Sequence, residues 1–149
     1  MANILVTGGC GFIGRHVTEE LLNNGYDVRI LDALIDQVHG DTEAAVPEGA
    51  EVIRGDVRDK ASVVQALEDI DGVIHLAAEV GVGQSMYEIA RYVGGNDLGT
   101  AVLLDAMINR PIKRIVVASS MSVYGEGRYM TESGDQLGIV RRRAEMIKK

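Results

Sequence analysis

The sequence predicts an α/β protein built on a doubly wound parallel sheet, with five strands in the order 3-2-1-4-5. Two observations predict it. An apolar run at the start of the chain enters a helical stretch through a glycine-rich turn, Asn3-Ile-Leu-Val-Thr-Gly-Gly-Cys-Gly-Phe-Ile-Gly14. Beyond that turn, short apolar runs alternate with helical stretches. Runs such as Ile4-Leu-Val, Val73-Ile-His-Leu-Ala and Ile115-Val-Val-Ala are continuously apolar, as expected of parallel strands covered on both faces.

Taken in order, the strands are read near 3–7, 27–32, 51–55, 72–77 and 113–118. Helices are read near 12–24, 59–69, 85–109 and 137–148. In the second helix Val63, Val64 and Leu67 share a side, and Asp59 is placed to cap its start. Gly94-Gly95 is expected to interrupt the third helix and leave two pieces. The stretch 33–50, with Gly40, Pro47 and Gly49, is too long for a simple connection and is read as a loop. In such a sheet the ligand crevice lies at the carboxyl ends of the strands, so the residues there carry the functional reading.

The turn reads as Gly9-x-Gly11-x-x-Gly14 or as Gly8-x-x-Gly11-x-x-Gly14. One glycine lets the chain leave the strand sharply, one lets backbone approach a pyrophosphate, and one lets the helix pack closely. The helix starting at Phe12 would aim its free N–H groups at the phosphates. The next strand, Tyr26-Asp-Val-Arg-Ile-Leu-Asp32, ends in a carboxylate 18 residues past Gly14, near the spacing of the acid that receives ribose hydroxyls. Ala33 and Leu34 follow it, so no Arg or Lys is placed for a 2′-phosphate, and NAD is preferred over NADP.

At 149 residues the chain is read as one domain, residues 1–149, long enough to bury a core. No apolar run approaches a membrane span, and Met-Ala-Asn lacks the layout of a signal peptide. The single cysteine excludes an internal disulfide and fits a reducing, cytoplasmic setting. Three His and one Cys, far apart, leave no metal-ligand spacing. The net charge of −7 argues against a nucleic-acid partner, although five basic residues gather between 138 and 149.

At the strand ends, Gly55-Asp56-Val57 places a carboxylate that can accept from an adenine amino group, or serve as a turn residue. His75-Leu-Ala-Ala78 offers small residues for close contact with a ribose or nicotinamide; two alanines are also ordinary core. The fifth strand delivers Ser119-Ser-Met-Ser-Val-Tyr-Gly125, whose hydroxyls fall where a Ser can bond a substrate oxygen that alternates between alcohol and ketone.

With Asn96-Asp-Leu-Gly-Thr100, these motifs occur in order and together resemble the extended short-chain dehydrogenase/reductase family, specifically its nucleotide-sugar epimerases and dehydratases. The resemblance covers essentially all of the chain to Gly127. It implies an NAD-binding Rossmann fold and a nucleotide-sugar substrate. By that resemblance Gly8, Gly11 and Gly14 form the cofactor-binding turn, Phe12 and Ile13 supply backbone contacts to the pyrophosphate, and Asp32 holds the adenine ribose. Asp56 and Val57 bind adenine, and Leu76, Ala77 and Ala78 line the cofactor. Ser120 matches the catalytic Ser/Thr, Gln84 and Ser85 contact the sugar, and Asn96 matches a structural Asn. The segments 79–91 and 119–126 look most like dTDP-L-rhamnose 4-epimerase-type members.

Family chemistry also needs a Tyr followed four residues later by a Lys, which lowers the phenol pKa. No Tyr-x-x-x-Lys occurs in this chain. The chain is therefore expected to be the N-terminal, cofactor-binding portion of a protein about twice its length, truncated before a sixth strand and a substrate lobe. It is not expected to turn over alone, and the full-length protein is expected to be a homodimer. The expected activity is 4-epimerisation of a dTDP- or UDP-hexose by transient hydride transfer to NAD. A 4,6-dehydratase or reductase is the enzyme alternative, though Met121-Ser122 stand where dehydratases carry an Asp-Glu pair. A redox-sensing NAD-binding module is the alternative of another class.

Overall fold

Five parallel strands are hydrogen-bonded in the expected order, 3-2-1-4-5, in a computed structural model that describes residues 1–35, 46–120, 123, 129–134 and 136–137. They are β1 (Asn3–Thr7), β2 (Asp27–Asp32), β3 (Glu51–Arg54), β4 (Gly72–His75) and β5 (Arg114–Val117). The helices are α1 (Phe12–Asn23), α2 (Lys60–Ala66), α3 (Val82–Ser85), α4 (Ile89–Tyr92) and α5 (Gly99–Met107), with a π-helical segment at Val93–Leu98. Two short antiparallel strands follow, β6 (Tyr129–Met130) and β7 (Gln136–Leu137). The chain divides into two compact units, Met1–Ala118 and Ser119–Lys149.

The register decides which residues share a face. Leu5 pairs with Arg29 and Val73, Leu31 with Ile53, and Val73 with Ile115. With a side-chain period of two, Leu5, Thr7, Leu31, Ile53, Val73, His75 and Ile115 point to one side. The apolar members of that side pack with Val63, Ala66 and Leu67 from α2 and its end, and with Leu103 of α5, in one buried cluster. Each fully buried Leu contributes about 1.5–3 kcal/mol relative to leaving it exposed. The opposite side carries Val6, Val28, Ile30 and Asp32. There a Cβ on Gly9 would lie 2.7 Å from Ile30, which brings the glycine turn leading into α1 against that face.

Asp59 caps α2 as its position implied. Its carboxylate accepts the N–H groups of Ala61 at 3.3 Å and Ser62 at 3.0 Å. The Ser62 hydroxyl also donates to it, and these bonds hold its carboxyl below the usual range.

Several boundaries differ from the sequence reading. The third and fourth strands stop at Arg54 and His75, so Gly55, Leu76 and Ala77 lie beyond the ladder. The helix expected at 85–109 is broken at 86–88, upstream of the glycines. Gly94 and Gly95 do not interrupt it. They sit inside the π-helical segment that joins α4 to α5, where the looser winding absorbs them. The helix expected at 137–148 lies outside the described residues, except that Leu137 belongs to β7.

Candidate functional site

The glycine turn assigns a separate task to each glycine. Gly8, at φ +70°, reverses the chain as β1 ends, and its N–H donates to the Leu31 carbonyl at 2.9 Å. Gly14 brings α1 down onto that turn. A Cβ there would lie 2.2 Å from the Gly8 carbonyl oxygen and 2.6 Å from the Gly9 Cα. Gly11 is the N-cap of α1, and a Cβ there would meet nothing closer than 3.4 Å. Phe12 and Ile13 follow with exposed side chains, so their backbone N–H groups open the helix. Among the described residues no side chain caps α1, and its first turn holds no acidic residue.

Asp32 ends β2 beside this turn and is only 8% exposed. One carboxylate oxygen accepts the Cys10 N–H at 3.0 Å, and the other accepts the Leu34 N–H at 2.9 Å. The burial of Asp32 thus depends on backbone donors from two loops, as a buried carboxylate requires. Cys10 is itself buried, and burial, aided by the Asp32 charge, pushes its thiol up to about 11.

Asp56 and Val57 follow β3. The Asp56 carboxylate accepts the Arg58 backbone N–H at 2.8 Å and is gripped by the Arg58 guanidinium, with Nε at 2.9 and 3.0 Å from its two oxygens. That hydrogen-bonded guanidinium holds the Asp56 carboxyl below the usual range. The Asp56 carbonyl also accepts the Asp59 N–H at 2.9 Å, so the residue forms a turn before α2. The Val57 side chain is buried in the core cluster and fills the space a Cβ on Gly99 would need, at 2.6 Å. Toward a ligand, only its backbone is available.

A chain of polar contacts runs beneath the crevice. Thr7 Oγ1 lies 2.6 Å from His75 Nδ1 and accepts the N–H groups of Leu76 and Ala77, each at 3.2 Å. His75 Nε2 lies 3.0 Å from Thr100 Oγ1, which donates to the Asn96 carbonyl at 2.5 Å. The Asn96 amide clamps the Glu79 backbone, donating to its carbonyl at 3.1 Å and accepting its N–H at 2.8 Å. Thr7 and His75 are fully or almost fully buried, and burial lowers the His75 pKa. The Glu79 carboxylate pairs with Arg91 at 2.8 Å, and Arg91 also holds Glu88. Leu76 and Ala77 are half-buried and Ala78 is exposed.

Among these residues only Asn96 carried a structural role in the sequence reading. The signal for Thr7 and His75 was a polar residue at the end of an apolar strand; their meeting needed the β1–β4 register.

Gln84 and Ser85 fall in α3. The Ser85 hydroxyl donates to the Val82 carbonyl at 2.8 Å, and Gln84 Oε1 accepts the Tyr92 hydroxyl at 3.3 Å. Ser120 belongs to the second unit; it is exposed, and its carbonyl accepts the Val123 N–H at 3.1 Å. Met121, Ser122 and Tyr124 lie outside the described residues. A cavity of about 270 Å³ is lined by Asn3, Asp27 and Glu51, at the amino ends of the strands and away from the glycine turn. Among the described residues there is no cluster able to hold a metal ion, and no helix long and apolar enough to cross a membrane.

An open parallel sheet with a glycine turn, an uncapped helix start and a buried strand-end carboxylate defines a dinucleotide-binding α/β protein. Residues 4–141 match the NAD dependent epimerase/dehydratase family, and the chain belongs to that family. It is 39% identical over 137 residues to a dTDP-L-rhamnose 4-epimerase of Burkholderia thailandensis, covering 88% of this chain and 38% of that protein. It is 34% identical over 141 residues to a UDP-glucose 4-epimerase of Neisseria gonorrhoeae, covering 89% of this chain and 40% of that one.

Among solved structures, a UDP-glucose-4-epimerase from Stenotrophomonas maltophila with bound NAD and formylated UDP-arabinopyranose superposes with a TM-score of 0.75 at 33% identity, over 85% of this chain and 39% of that chain. One from Bifidobacterium longum in complex with NAD+ and UDP gives 0.72 at 36% identity, over 92% and 43%. The chain thus spans about two fifths of the length of these relatives.

Proposed function

We propose that this chain is the NAD-binding part of a nucleotide-sugar 4-epimerase acting on a UDP- or dTDP-hexose. The observation that carries the reading is the pairing of Asp32 with the glycine turn. The turn presents Gly11, with room at its Cα, and the uncapped start of α1. Beside it the Asp32 carboxylate is fixed by Cys10 and Leu34 at the end of β2. These residues fit a dinucleotide. Uncapped N–H groups suit a pyrophosphate, and an acceptor-only carboxylate at the strand end beside the turn suits ribose hydroxyls.

In this reading the backbone of Gly11, Phe12 and Ile13 holds the pyrophosphate, Asp32 the adenine ribose, and the Val57 backbone the adenine edge. Leu76, Ala77 and Ala78 line the crevice. NAD held there would supply a hydride acceptor and donor for the sugar C4. Ser120 bonds the sugar C4 oxygen as it alternates between alcohol and ketone, and Gln84 and Ser85 contact the sugar. The similarity to UDP-glucose and dTDP-L-rhamnose 4-epimerases supports a 4-epimerase. Their structures with NAD support the cofactor.

The test is product analysis by NMR of the full-length protein supplied with UDP-glucose, UDP-galactose and a dTDP-hexose. A C4 epimer is expected, with NAD retained. A 4-keto-6-deoxy product would overturn epimerase in favour of dehydratase, and binding of NAD without any turnover would favour a sensor. In the same protein Ser120→Ala is expected to lower turnover by about 10²–10⁴-fold with little change in NAD affinity.

A further inference from the structure

We propose that His75 is a positioning residue of the cofactor crevice, a neutral imidazole held as the Nε2–H tautomer between Thr100 and Thr7 that orients the Thr7 hydroxyl and thereby fixes the Leu76–Ala77 backbone on the glycine turn. The role in the crevice rests on the NAD reading above; the tautomer does not.

The polarity of the chain follows from its fixed ends. The Asn96 carbonyl can only accept, so the Thr100 hydroxyl gives its proton to it and presents a lone pair to His75 Nε2. Nε2 therefore carries the proton, and Nδ1 offers its lone pair to the Thr7 hydroxyl at 2.6 Å. Thr7 Oγ1, its proton directed at His75, has lone pairs for the Leu76 and Ala77 N–H groups. Every donor then meets an acceptor.

The opposite tautomer fails at both ends. An Nδ1–H would give Thr7 Oγ1 a third donor beside Leu76 and Ala77, and displace the Thr7 proton from its acceptor. At the other end two lone pairs would face each other between Nε2 and Thr100. Burial disfavours the imidazolium as well, because desolvation penalises the charged ring.

The consequence falls on the crevice because of where Thr7 stands. It ends β1 immediately before Gly8, and a Cβ on Gly8 would lie 2.7 Å from the Ala77 nitrogen. The Leu76–Ala77 backbone thus rests on the glycine turn, and Thr7 Oγ1 holds both of its N–H groups there. At the far end of the same segment the Asn96 amide holds Glu79. His75 links the Thr7 anchor, through Thr100, to the backbone carbonyl of the same Asn96, and the ring sets the direction of the Thr7 hydroxyl.

The tautomer is read directly from long-range ¹H–¹⁵N correlations of the imidazoles in the full-length protein, with the His75 signals assigned by their loss in His75→Asn. An Nε2–H pattern for His75 is expected at neutral pH, and an Nδ1–H pattern overturns the proposal. NADH affinity and unfolding midpoints are then compared for His75→Gln, His75→Asn and Thr100→Val. Asn places an acceptor where Nδ1 sits and keeps the Thr7 bond, so it is expected to retain most of the NADH affinity.

Gln places its amide near Nε2 and leaves Thr7 without its partner, so about tenfold weaker NADH binding is expected, the effect of losing one buried hydrogen bond. Thr100→Val is expected to weaken NADH binding less than Gln does. A purely structural histidine would make affinity follow the loss of stability in all three variants, and that outcome overturns the positioning role. Wild-type affinity in His75→Gln overturns it too, while leaving the NAD reading intact. Failure of the wild-type protein to bind NADH instead overturns the cofactor reading and the crevice role with it.

Discussion

Asp32 accepts a hydrogen bond from the backbone N–H of Cys10 at 3.0 Å, which ties the carboxyl end of β2 to the glycine turn that follows β1. The side chain that the sequence marks for a ribose is therefore also a structural strut, and its two tasks can be separated. Asp32→Ala leaves the Cys10 and Leu34 N–H groups without their acceptor and is expected to cost about 1–3 kcal/mol in urea unfolding. Asp32→Asn keeps one acceptor oxygen and is expected to cost less. Both are expected to weaken NAD binding, and calorimetry comparing NAD with NADP in the parent protein checks the preference assigned to this carboxylate.

The glycines of the turn should respond to alanine in opposite ways. Gly14→Ala drives a Cβ to 2.2 Å from the Gly8 carbonyl, against backbone that cannot yield, so severe destabilisation or failure to fold is expected. Gly11→Ala meets nothing closer than 3.4 Å and has an ordinary φ of −71°. Its unfolding free energy is expected to stay within about 1 kcal/mol of the parent, the balance of a poorer N-cap against lost backbone freedom. Its NADH affinity is expected to fall at least tenfold, because in the proposed reading the new methyl stands where the pyrophosphate approaches the start of α1. Parallel thermal melts and NADH titrations would show whether the two effects part in this way.

Gly94 and Gly95 make a second contrasting pair. A Cβ on Gly94 comes no closer than 3.6 Å to Arg58, an ordinary contact, whereas one on Gly95 lies 2.8 Å from Glu79 Cγ. Gly94→Ala is expected to raise the unfolding midpoint, since removing a helix-interior glycine gains roughly 0.5–1 kcal/mol. Gly95→Ala is expected to lower it by displacing Glu79 from its pairing with Arg91. Equal effects in the two variants would remove the packing reason given for Gly95.

His75 sets a direction for pH dependence. Its folded pKa lies below the ordinary 6.5, so the native state binds fewer protons than the unfolded state. Its contribution is therefore fully present above about 6.5, the unfolded value, and declines as pH falls from there toward the folded pKa. Unfolding free energies measured between pH 8 and 5 are expected to fall more steeply on the acid side for the parent than for His75→Asn, which has no proton to bind.

Much of the fold was legible because its signals are local. Ile4-Leu-Val and Val73-Ile read as buried strands from composition alone, and Gly8, Gly11 and Gly14 read as a turn because backbone conformation at each depends on its neighbours. The third helix was read less well. Propensity places a break at Gly94-Gly95, yet the structure places it at 86–88 and winds the glycines into a π turn. Propensity is a weak prior, and there packing overrides it, since a Cβ on Gly95 would lie 2.8 Å from Glu79 Cγ across the fold.

The sequence by itself determined the order of strands and helices, the turn that joins the first pair, the cap of α2 by Asp59 and the carboxylate that ends β2. All of these follow from spacing within about two dozen residues. Only the tertiary structure decided that Thr7 meets His75 across 68 positions of sequence, that Thr100 and Asn96 complete the same chain, and that Val57 turns its side chain into the core. The reason is physical. Periodicity records which side of an element faces inward, but which buried polar groups share their hydrogen bonds is fixed only when parallel strands take their register and helices pack across them.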